Sequence, residues 1–129
     1  MYVFGVVLES PFEEAVGRVK EALAAEKLGV VSEVDVGGIV RAKLGEDIGG
    51  YRILGACAPG LARRVIQSQP AAGALLPCNL VVRAINADST AVDFMDPVSV
   101  LALARTPEID VVATEARAML ERVRDRLSV

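Results

Sequence analysis

The opening segment constrains the fold most, because it reads as a strand with no polar side. In residues 2–8 the alternating sets Tyr2/Phe4/Val6/Leu8 and Val3/Gly5/Val7 are both largely apolar. A strand of this kind calls for a covering layer on each face. The period then changes abruptly. Ser10-Pro11-Phe12-Glu13 offers an N-cap, a first-turn proline and the Glu of a capping box, and Phe12, Ala15, Val16, Val19, Ala22 and Leu23 recur at helical spacing. This spacing predicts a helix ending near Leu28, with Gly29 available for a left-handed C-terminal turn.

The rest of the chain alternates in the same way. Residues 30–36 read as a half-exposed strand, with Val30, Val34 and Val36 in one phase and Glu33 and Asp35 in the other. A short helix over 39–44 should end at Gly45, and a third strand is expected from Tyr51 to Cys57. Pro59 punctuates that strand and can open a helix whose stripe is Leu61, Ala62, Val65 and Ile66. Another strand, from Leu75 or Cys78 to Ile85, and one at Thr90 to Met95 flank the polar turn Asn86-Ala87-Asp88-Ser89, forming a hairpin. Asp96-Pro97 and Thr106-Pro107 each pair a capping residue with a first-turn proline, predicting helices over 98–104 and 108–127. Ile109, Val112, Ala113, Ala116, Leu120, Val123 and Leu127 form the buried stripe of the second.

These elements predict an α+β fold: a two-layer, largely antiparallel four- to five-stranded sheet with helices packed mainly on one face. A doubly wound nucleotide-binding fold is disfavoured, because the turn after the first strand is Glu9-Ser10-Pro11 rather than a glycine-rich loop. No internal repeat or linker divides the 129 residues, and a single domain of this length buries roughly 65–70% of its unfolded surface. The apolar fraction is 53% with only 4% aromatic and no Trp, so the core has to be built from Val, Leu, Ala and Ile.

Several functions are excluded or disfavoured. With no histidine, the chain cannot build a Ser-His-Asp or Cys-His arrangement, an imidazole base or a His-ligated metal site. Acidic residues outnumber basic ones, 17 to 14, and the late arginines are interleaved with acids, so nucleic-acid binding lacks its electrostatic footprint. No apolar run approaches the roughly 18 residues of a membrane span, and the N-terminus lacks signal-peptide features, so no membrane partner and a cytoplasmic location are expected.

The two cysteines, Cys57 and Cys78, carry the most specific hypothesis. Cys57 closes one strand before a helix start, where free backbone N–H groups favour a thiolate, and Cys78 opens the next strand. If the two strands are antiparallel neighbours joined by the intervening helix, both thiols lie at one edge of the sheet. They would then serve as a redox pair. The plainer reading is packing, since free cysteine behaves as a small hydrophobe. Neither belongs to a C-x-x-C motif, and a metal would need carboxylates or a partner's cysteines, so no metal or cofactor is assigned. Tyr51, Cys57, Pro77, Cys78 and Asn79 are the candidate ligand-binding residues. Arg52, Arg83 and Asp93 read as solvent-facing, Asp96 as a helix cap, and Arg117, Arg122, Arg124 and Arg126 as a solvated helix face.

The segments Tyr51–Cys57, Pro59, Leu61-Ala62 and Leu75–Arg83 resemble the signature of the family called domain of unknown function 302. The first helix, Lys43-Leu44-Gly45 and Met95-Asp96-Pro97 are also similar, so the resemblance covers nearly the whole chain. It implies a two-layer α+β fold with an antiparallel sheet and a homodimer, without an established activity. Ala58 stands where the family pattern often has a polar residue such as Asn, which removes a side-chain donor beside Cys57. The surplus of apolar residues in both strand phases (Val3/Val7, Val31, Val81/Ile85, Ala91/Met95) points to a two-fold subunit interface, with a ligand-lined concave sheet as the alternative. Three functions follow: a dimeric small-ligand-binding or interaction domain, a thiol-based redox enzyme or sensor, and cysteine-mediated metal binding.

Overall fold

The computed structural model describes residues 1–128. In chain order the elements are β1 (Val3–Leu8), α1 (Phe12–Ala25), β2 (Gly29–Asp35), α2 (Val36–Leu44), β3 (Tyr51–Cys57), α3 (Pro59–Ser68), a 3-10 turn (Pro70–Leu75), β4 (Cys78–Ala84), β5 (Thr90–Met95), α4 (Pro97–Leu101) with a 3-10 extension (Ala102–Ala104), and α5 (Pro107–Leu127). The five strands form one sheet in the order β1-β5-β4-β3-β2, every pair antiparallel. The α+β class, the antiparallel pairing and the β4–β5 hairpin are as the sequence predicts.

Register explains why one face is the core. Phe4, Phe94, Leu80 and Leu54 stand opposite one another across four strands, and the next row is Val6, Val92, Val82 and Arg52. Leu54, Leu80, Val82, Val92 and Phe94 are fully buried, and Val19 and Leu23 of α1 with Leu120 and Val123 of α5 close over them. Phe4 stacks on Phe94 with ring centroids 5.3 Å apart, and the guanidinium of Arg117 lies 4.5 Å above the Phe4 ring. A second cluster joins α3, the 3-10 turn and α4 to the N-terminal half of α5 through Val65, Leu101, Ile109 and Val112. The long helix therefore packs against two cores, the sheet-based one with its C-terminal half and a purely helical one with its N-terminal half.

Several local expectations are corrected. Pro11, not Ser10, is the N-cap of α1; the Ser10 hydroxyl is buried without a partner, and Glu13 pairs with Arg52 at 2.9 Å instead of closing a capping box. The helix ends at Ala25, and Lys27 rather than Gly29 takes the left-handed position (φ 60°). The bonds Leu28 N–H to Leu23 O and Lys27 N–H to Ala24 O form a Schellman turn that tucks Leu28 into the core. Gly29 instead opens β2. A bulge between Val30 and Ser32 shifts the pleat, putting Val30 and Glu33 in the same phase, and all seven β2 residues are exposed. The next helix starts early, at Val36, because the Asp35 carboxylate accepts from Gly38 N–H, and it ends as expected on left-handed Gly45.

The late arginines lie on a solvent-facing side of the helix, with Arg117 pairing Glu121 at helical spacing, but several also reach partners on other elements. Arg122 and Arg126 each hydrogen-bond Glu26 at 2.7 Å, tying α5 to the end of α1 and holding the Glu26 carboxyl below the usual carboxylate range. Arg117 pairs with Asp96, which caps α4 by accepting from Val98 N–H. Arg52 lies against Phe12 and between Glu13 and Glu33. Arg83 does remain exposed, paired with Asp93 at 2.7 Å.

Truncating the central ring, Phe94→Ala, should cost about 3–5 kcal/mol in chemical denaturation, because it empties a close-packed row. Leu103→Ala, at a residue that is 71% exposed, should stay within about 0.5 kcal/mol. Equal effects at the two positions would contradict this core assignment.

Candidate functional site

The β3–β4 ladder places Ala56 opposite Cys78, so the end of β3 and the start of β4 meet at one edge of the sheet, with α3 and the 3-10 turn spanning the gap between them. Cys57 lies one residue beyond that pair and is in the opposite pleat phase from Cys78. Both are half-buried free thiols. They are neighbours along the edge, not a facing pair.

Both contribute to the wall of one apolar cavity of about 40 Å³, with Pro77 beside them. The cavity lies at the seam between the two cores. Leu28, Ala56 and Leu120 reach it from the sheet-based core, and Val65 and Leu101 reach it from the helical one. Ala116 and Met119 line it where α5 passes from one core to the other. Ala116 belongs to the predicted buried stripe, yet it is only half-buried, because it borders this gap. The α5 and α4 wall residues had one signal in the sequence: an alanine set among larger residues of an apolar stripe.

The other two candidate ligand-binding residues lie elsewhere. Tyr51 is at the opposite end of β3, about 20 Å from Cys57 at the usual strand rise, and stands across from Arg83. Asn79 pairs with Gly55 and is exposed, in the pleat phase opposite Cys78. Gly55 has a packing reason: a β-carbon there would come within 2.7 Å of Pro77 Cγ and would also collide with the Ser32 hydroxyl. The close approach of β2, β3 and Pro77 requires a residue without a side chain.

Burial pushes the Cys78 thiol up to about 11, and the nearby Cys57 adds to the shift. At neutral pH Cys78 is therefore a thiol and a poor nucleophile. Among the described residues, no three His, Cys, Asp or Glu side chains gather as a metal site, and no helix is long and apolar enough to cross a membrane.

The second surface of interest is the sheet face away from α1 and α5. One row there is Gly5, Asp93, Val81, Ile53 and Val34; another is Val7, Ala91, Arg83 and Tyr51. Val7 is 54% exposed, Ile85 50% and Val34 41%. Among the described residues no second layer covers this apolar face, so β1 is not covered on both sides as its sequence demands.

The family model described as "Domain of unknown function DUF302" matches residues 4–127. Among solved structures, the chain is similar to an uncharacterised conserved DUF302 protein from Bacillus stearothermophilus, with 26% sequence identity, a TM-score of 0.90 and 98% of each chain covered. No curated protein matches the chain.

The Cys78 environment has a pH consequence. A thiol with a folded pKa near 11 against an ordinary 9.0 contributes stability that is complete below pH 9 and is lost as pH rises toward 11. Denaturation across this window should show a decline on the order of 2 kcal/mol in the wild type that is missing in Cys78→Ala. Identical slopes for the two proteins would contradict the assignment.

Proposed function

The chain belongs to the DUF302 family, which supplies a fold and no activity, and from that premise we propose that it works as a homodimeric binding or interaction domain rather than a catalyst. The observation that carries this reading is the uncovered apolar sheet face. Exposed patches of this kind on a small domain mark interaction sites, and a two-fold pairing of identical faces is the commonest way to bury one. The two charged side chains on the face, Arg83 and Asp93, neutralise each other. A second copy laid on it would desolvate a paired ion rather than a lone one.

A thiol-redox role has the shared cavity in its favour. The raised Cys78 pKa and the opposite pleat phases of the cysteines weigh against it, since dithiol chemistry needs a thiolate positioned to attack its partner sulfur. Among the described residues, metal binding through the cysteines lacks a third ligand of the usual kind.

Light scattering on a size-exclusion column should give the mass of a dimer. Ile53→Glu and Val81→Glu, which place an unpaired carboxylate at the centre of the face, should weaken dimerisation by roughly 10²–10³-fold and leave the circular dichroism spectrum unchanged. A monomeric wild type, or variants that dimerise as tightly as wild type, would overturn the reading.

A further inference from the structure

The seam cavity has walls of one chemical kind. Its side chains are aliphatic except for Met119 and the two thiols, and no hydroxyl, amide or charged group faces it. A buried water needs two to four polar partners, which thiols and a thioether supply poorly. An empty void of this kind also forfeits dispersion contacts on every wall. An apolar occupant regains those contacts and loses little hydration, whereas a charged or strongly polar one would be left unpaired.

The size and position of the cavity narrow the choice. Its volume of about 40 Å³ is roughly three times the 10–15 Å³ that one water-sized occupant needs. Four alanines, Ala56, Ala58, Ala62 and Ala116, hold its walls back from three separate directions, the end of β3 with its following residue, α3 and α5. The space is only partly enclosed, so an occupant can enter from solvent. Its boundary is the contact between the helical cluster and the sheet-based core.

Resting on the reading of the chain as a binding domain, we propose that this cavity receives a compact, uncharged aliphatic group of about three heavy atoms, either free or as the tip of a longer molecule. The site selects by shape and dryness. No side chain in it is placed to read polar functionality.

The test is a titration of the full chain with ethanol, 1-propanol, 1-butanol and 1-pentanol, and separately with xenon, followed by methyl NMR. Shifts should centre on Leu61, Val65, Leu101 and Met119, and affinity should rise about fourfold per added methylene until the cavity is full, then level off. A response to xenon identifies a free small occupant as sufficient, whereas binding by the longer alcohols alone points to the tip of a longer molecule. Ala116→Leu should weaken binding at least tenfold. Ala62→Val, a smaller change on the α3 wall, should weaken it as well and keeps the test decisive if the first variant does not fold. Shifts confined to the open sheet face, affinity independent of chain length, or an undiminished response in the filled variants would overturn the proposal. Light scattering on the same samples keeps the two readings apart. A dimer with silent cavity methyls sinks only the ligand proposal, and a monomer whose cavity responds sinks only the dimer.

Discussion

The structure rests on an asymmetry of one sheet. Four strands align Phe4, Phe94, Leu80 and Leu54 in a single row, and two helices close over it, burying Phe94, Leu80 and Leu54 completely and Phe4 in part. With aromatics so scarce, this row and the aliphatic side chains above it supply most of the driving force, and fully burying each large side chain contributes about 1.5–3 kcal/mol. The same strands point Val7, Ile53 and Val81 the other way, β2 adds Val34 beside them, and the described residues supply no layer there. Alternation along a strand makes these two facts inseparable: residues that set the core register also present the opposite face.

The second constraint comes from α5. One helix of 21 residues packs on two cores, and a gap is left where they join. That gap is the cavity beside Cys57 and Cys78. Its neighbours explain the chemistry found there: burial that keeps Cys78 protonated, and alanines where larger residues would close the gap. Away from the seam, α5 is fixed by directional contacts, with Arg117 on Asp96 and the Phe4 ring, and Arg122 and Arg126 on Glu26. These contacts fix how the helix lies over β1 and against α1.

Much of the fold was legible because its signals are local. Proline at a first turn marked α3, α4 and α5, and β3 and β5 were bounded by residues that break strands. What escaped the sequence depends on partners distant along the chain. The bulge in β2 reverses the pleat phase between Val30 and Glu33, and only the pairing with β3 reveals it. Glu13 looks like a capping-box residue until Arg52, brought close by the sheet, competes for it. The placement of the candidate residues, as distinct from any role for them, was half legible for the same reason. Adjacency of Cys57, Pro77 and Cys78 followed from antiparallel connectivity, whereas the separation of Tyr51 and Asn79 follows from strand length and pleat phase.

We propose that a second copy of this chain supplies the layer that the open face lacks. The decisive measurement is solvent paramagnetic relaxation of the Ile53 and Val81 methyl groups at high and low protein concentration. At high concentration these methyls should be as shielded as those of buried Leu80, and on dilution they should become accessible. If these half-buried methyls stay more accessible than those of Leu80 and do not change with concentration, no second copy covers the face.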